Sequence, residues 1–100
     1  MTVYFLAQIR IHDEAGYGEY LATCDEVFAR FMGTYLAVDR SPTVLEGAWP
    51  YSRTALISFP SEADLLAWYR SPEYQQILLH RLAGARCDTV VLTGNDPVAP

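Results

Sequence analysis

Between Thr2 and Ile11 the chain is apolar and β-prone on both parities. Val3, Phe5, Ala7, Ile9 and Ile11 share one face of a strand, and Tyr4, Leu6, Gln8 and Arg10 share the other. The second face opens with Tyr4 and Leu6 rather than with charge, which predicts a sheet at least partly covered on both sides. From Asp13 the period lengthens. Tyr17, Tyr20, Leu21, Cys24, Val27, Phe28 and Phe31 follow the spacing of a helix with one apolar stripe. Asp13 is placed to cap its N-terminus, Glu14 to meet the positive end of its dipole, and Gly33 to end it.

Thr34 to Val38 then reads as a strand, followed by the turn Asp39-Arg40-Ser41-Pro42, a short strand over Thr43 to Glu46 and a loop over Gly47 to Pro50. Arg53 to Phe59 is a further strand, bounded by Pro60. Ser61 with Asp64 three positions on forms a capping box, with aspartate in place of the more usual glutamate. Leu65, Trp68 and Tyr69 share one side of the helix that follows. In AWYRSPEYQ, residues 67 to 75, Ser71 is a fresh N-cap and Pro72 sits where a missing N–H costs nothing, so two helices meet at a corner. Tyr74, Ile77, Leu78, Arg81 and Leu82 form the stripe of the second helix. Cys87 to Gly94 gives the last strand of a single domain over 1–94, and 95–100 reads as a loose tail. This βαββαβ order predicts an α+β, ferredoxin-like plait: a four-stranded antiparallel sheet with helices on one face. Tyr4, Leu6 and Tyr35 are expected on the open face, where a second copy would form a homodimer.

Composition sharpens this picture. One hundred residues hold one domain, and seven tyrosines, four phenylalanines and two tryptophans exceed what so small a core can hide, so part of that surface should meet a partner or a pocket. The net charge is −5 and all seven basic residues are arginine, with no basic stripe, which argues against nucleic acid. The absence of lysine fits a high-GC bacterial genome. No apolar run approaches the roughly 18 to 20 residues of a membrane span. The first residues lack a basic leader and a cleavage site, and Cys24 and Cys87 make no metal or redox motif, so a cytoplasmic protein with reduced thiols is expected.

FLAQIRI (5–11), D-E-x-x-Y-x-x-Y (13–20), VLEGAWP (44–50), R-x-x-L-I-x-F-P-S (53–61) and AWYRSPEYQ with Arg81 resemble the bacterial domain-of-unknown-function 1330 family, over about Val3 to Gly94. The resemblance implies a dimeric α+β barrel, an architecture that includes cofactor-free monooxygenases, lactone isomerases, polyketide cyclases and haem-handling proteins. It implies no activity of the family's own. The family's usual basic residues around the second strand are replaced here by Met32-Gly33-Thr34 and Val38-Asp39-Arg40. That departure points to a less acidic or more hydrophobic ligand, with Arg40 able to restore one charge from a shifted position.

Several side chains are candidates for chemistry. Arg53, opening a central strand, suits a carboxylate ligand, or an ion pair with Glu46 on the neighbouring strand. His80 and His12 are the candidate acid–base residues, each also readable as a surface or turn histidine. Tyr20 joins them as a candidate catalytic hydroxyl. Tyr35, Trp49, Trp68, Tyr69 and Arg81 are candidate ligand contacts, and the aromatic ones read equally as core or dimer packing. Cys24, beside Asp25 and Glu26, reads as core. No metal site or cofactor motif stands out. The leading expectation is a small-molecule-binding dimer acting as a cofactor-independent isomerase, cyclase or monooxygenase-like enzyme on a largely apolar metabolite. A non-catalytic binding protein and a structural or regulatory dimer are the alternatives.

Overall fold

The computed structural model describes residues 1–95; the expected tail at 96–100 lies outside them. The elements are β1 (Val3–Ile11), α1 (Glu14–Arg30), β2 (Thr34–Asp39), β3 (Arg53–Phe59), α2 (Glu62–Arg70), α3 (Pro72–Gly84) and β4 (Ala85–Thr93). The strands form one antiparallel sheet in the order β2-β3-β1-β4, the ferredoxin-like arrangement. Along β1 burial alternates as the pattern of the chain requires. Val3, Phe5, Ala7 and Ile9 are buried beneath the helices, and Tyr4, Leu6 and Gln8 lie half-exposed on the other face.

Trp68 fills the centre of the layer between sheet and helices and is fully buried. Its ring meets Tyr74 at 4.2 Å, Phe28 at 4.8 Å, Phe5 at 5.0 Å and Phe59 at 5.2 Å between centroids. The corner after Arg70 produces this convergence. Ser71 takes an extended backbone (φ −63°, ψ 145°), as a residue before proline prefers. Its hydroxyl donates to the Trp68 carbonyl at 2.7 Å and accepts from the Tyr74 N–H at 3.1 Å. One side chain thus closes α2 and opens α3, and the turn carries Trp68 and Tyr74 into the same core.

Four expectations need correction. Thr43 to Glu46 is not a strand: 40–52 is one irregular connection, in which Gly47 adopts φ +82°. Gly33 is not the left-handed residue that ends α1. Met32 takes that position (φ 64°), and Gly33 supplies the bond to the Phe28 carbonyl at 2.8 Å. Gly33 is small for another reason, since a Cβ there would approach the Phe59 ring at 3.0 Å. Tyr35 faces the helices, not the open face, and stands edge-on to Phe28 at 5.3 Å. A bulge between Tyr35 and Ala37 shifts the β2 register just beyond it. Leu82, finally, lies outside the buried stripe of α3 and is exposed.

Candidate functional site

Four elements bring polar side chains into the core near one end of the sheet. Arg53 opens β3 opposite Ile9, Arg81 lies near the end of α3, Tyr17 and Tyr20 stand one turn apart on α1, and Tyr35 comes from β2. With Phe5, Ala7, Ile9, Phe28, Ala55 and Ile57 they line a cavity of about 10 Å³, roughly the space of one water molecule.

The polar lining consists of cations and hydroxyls. Arg81 is only 3% exposed, and its Nε and Nη1 have no hydrogen-bond partner; the Nε of Arg53 is likewise buried and unpartnered. Arg53 stands 6.0 Å from the Tyr17 ring centroid and Arg81 5.8 Å from that of Tyr20, so the rings offer each charge a π face. Among the described residues no carboxylate lines the cavity. The alternative ion pair of Arg53 with Glu46 does not form. Among the described residues the ion pairs are Arg30–Glu26 and Arg40–Glu14, both exposed.

The hydroxyls are held in their neutral form. Burial, with Tyr74 beside it, raises the Tyr20 pKa well above the ordinary value, and the two hydroxyls share a 2.8 Å hydrogen bond. Burial also raises Tyr17 against the opposing pull of Arg53, and raises Tyr35, whose hydroxyl lies 3.5 Å from the Cys24 sulfur. Tyr74 is pushed up to about 12 and the Cys24 thiol to about 11, burial leading in each case. None of these groups is a base near neutral pH. What the cavity offers is hydrogen-bond donors and positive charge.

The candidates separate into groups. Tyr20, Tyr35, Arg53 and Arg81 converge on the cavity. Trp68 belongs to the packed core. His80 and His12 are exposed; the N–H groups of His12 and Asp13 both donate to the Gly84 carbonyl at 3.0 Å. Trp49 lies over the open face, its indole N–H donating to Thr54 Oγ1 at 3.0 Å, beside Tyr51, whose hydroxyl donates to Asp88 at 2.9 Å. Tyr69 lines a separate apolar groove along β4 with Leu65, Leu66 and Val91. Tyr17 was legible as stripe but not as site; its i, i+3 relation to Tyr20 was the available signal. Thr34, Val38 and Arg40 line no part of the cavity, so the departures around β2 leave its charge to Arg53 and Arg81.

The described residues contain no cluster of three His, Cys, Asp or Glu side chains suited to a metal, and no helix among them is long and apolar enough to cross a membrane. A four-stranded antiparallel sheet in the order β2-β3-β1-β4 with its helices on one face defines a ferredoxin-like fold. Residues 2–95 match the model of a domain of unknown function, DUF1330, and the chain belongs to that family. Its fold is similar to that of a protein of unknown function, RPA0582, from Rhodopseudomonas palustris, with a TM-score of 0.82 at 19% identity over 96% of this chain and 84% of that one. It is similar also to SnoaB, a cofactor-independent oxygenase from Streptomyces nogalater, with a TM-score of 0.71 at 13% identity over 99% of this chain and 98% of that one. A dimeric ferredoxin-like protein of unknown function from Jannaschia sp. CCS1 gives a TM-score of 0.69 at 16% identity over 94% and 100% of the two chains. Among curated proteins none matches the sequence.

Proposed function

We propose that the protein is a homodimer, joined through the open sheet face, that binds a small, largely apolar molecule in the cavity between sheet and helices and acts on it without a cofactor. The observation that carries this reading is Arg81: nearly fully buried, with two unpartnered donors, beside the buried unpartnered Nε of Arg53. A buried donor without a partner costs free energy. The indole N–H of Trp68 bears that cost inside the packed core, whereas the arginine donors are charged and belong to residues that line the cavity. Donors fixed in advance around an apolar cavity stabilise an oxygen as it gains negative charge, the electrostatic part of enol, lactone and oxygenation chemistry. The likeness in fold to a cofactor-independent oxygenase supports an enzyme of this general type.

The lining also supports a second reading, a holder that binds without turnover. Both histidines are exposed and the cavity hydroxyls stay protonated, so a proton abstracted from a substrate would have to go to water or to a second reactant. A fragment panel of small phenols, ketones and lactones separates the readings. Ligands that raise the melting temperature should lose their effect in Tyr20→Phe and Arg53→Gln. Consumption of such a ligand identifies an enzyme, and consumption only in the presence of oxygen an oxygenase. Binding without consumption identifies a holder. Ligands indifferent to both substitutions would refute the cavity as the site.

A further inference from the structure

We propose that the ligand enters the cavity by an anionic oxygen group, a carboxylate or an enolate, held between Arg53 and Arg81. This rests on the reading of the cavity as the binding site and adds the charge of what it takes. Two guanidinium groups, each a planar cation with several N–H donors, converge there. Among the described residues the lining contributes no carboxylate to balance them; aromatic faces and, at Arg81, the neutral Cys87 thiol attend the charges. A buried charge is expected to be paired, and here the counter-charge has to come from outside the protein.

The unused atoms specify the geometry. Nε and Nη1 of Arg81 face opposite sides of one planar guanidinium, so each donates singly to an oxygen on its own side, and the Nε of Arg53 is free to serve the same anion. The Cys87 thiol lies beside Arg81 and leaves its Nε and Nη1 unpartnered. With a volume of about 10 Å³ the cavity now accepts about one water. The anionic head takes that position, and the apolar remainder of the ligand enters as the surrounding side chains part. An exposed ion pair spans the gap between sheet and helix at this end: Arg40, just beyond β2, meets Glu14, the first residue of α1, at 3.5 Å. Such a pair costs little to open. The expectation of a less acidic ligand, drawn from the departures around β2, is replaced by an anion read at Arg53 and Arg81.

The test uses the full chain and a size-matched pair of probes, benzoate and benzyl alcohol, followed by NMR of the arginine Nε–H groups. Benzoate should shift the signals of Arg53 and Arg81 and bind at least about tenfold more tightly than benzyl alcohol. Arg81→Gln and Arg53→Gln should each weaken benzoate binding by about tenfold or more with the circular dichroism unchanged. If Arg81→Gln fails to fold, Arg53→Gln alone decides. Equal binding of both probes in the cavity would overturn the anion while leaving the site intact. Benzoate shifting only exposed arginines, or neither probe reaching the cavity, would overturn both.

Discussion

Met32 is held at φ 64° by the bonds that close α1, a conformation that costs a side-chain-bearing residue about 1 kcal/mol relative to glycine. Being exposed, it gives little packing in return. Met32→Gly should therefore raise stability by about 1 kcal/mol in chemical denaturation. Gly84 shows the opposite case. Its Cα lies so close to the start of α1 that a Cβ would stand 2.6 Å from the Tyr17 nitrogen, and Gly84→Ala should cost about 2 kcal/mol or more. The buried hydroxyls and thiols set a pH limit. Cys24 is raised from 9.0 to about 11 and Tyr74 from 10.0 to about 12, so the unfolded chain loses these protons first. Their contribution is complete below pH 9 and is lost as the pH rises through 9 to 12. Unfolding free energy followed across that range should fall, and Cys24→Ala should remove part of the fall between pH 9 and 11. None of these three features is visible in residue type alone. A left-handed methionine, a close backbone approach and a buried thiol all depend on what lies opposite in space.

The elements were far more legible. Ser61 with Asp64, and Ser71 with Pro72, mark helix starts by local chemistry, and at both the serine hydroxyl accepts the N–H three residues on. At Ser61 the reciprocal half of the box is replaced by a bond from its hydroxyl to the Asp64 carboxylate at 2.8 Å. Ser71→Ala removes a hydroxyl that serves two helices and should cost about 1 to 2 kcal/mol, measurable in thermal unfolding. Trp68→Ala, which empties the point where α2 and α3 meet the sheet, should cost about 3 to 5 kcal/mol. Thr43 to Glu46 misleads because a short β-prone run is no strand without a neighbour to pair with, and β3 is already paired on both sides by β1 and β2. The expectation that Tyr35 lies on the open face fails for a related reason. Its strand is short and exposed, and its bulge disturbs the alternation by which faces are read.

The sheet leaves Leu6, Leu56, Val90 and Leu92 on a face that none of the described helices covers, with Trp49 and Tyr51 resting at its end. A homodimer through this face predicts that Leu56→Glu converts the protein to monomers in sedimentation while preserving its helical circular dichroism. The candidate site was legible only as an inventory. Arg53, Arg81, Tyr20 and Tyr35 could be named, but their convergence, and the exclusion of His80, His12 and Trp49 from it, required the packing of four elements. That convergence also has an energetic signature. If Arg81 is retained for a ligand, its unpartnered charge burdens the empty protein, and an apolar side chain of similar length should relieve it. The decisive measurement is the unfolding free energy of Arg81→Met in the absence of ligand. A gain of about 1 kcal/mol or more is expected. A loss would mean that Arg81 serves the fold through Tyr20 and Cys87, and would contradict the assignment of the cavity as the functional site.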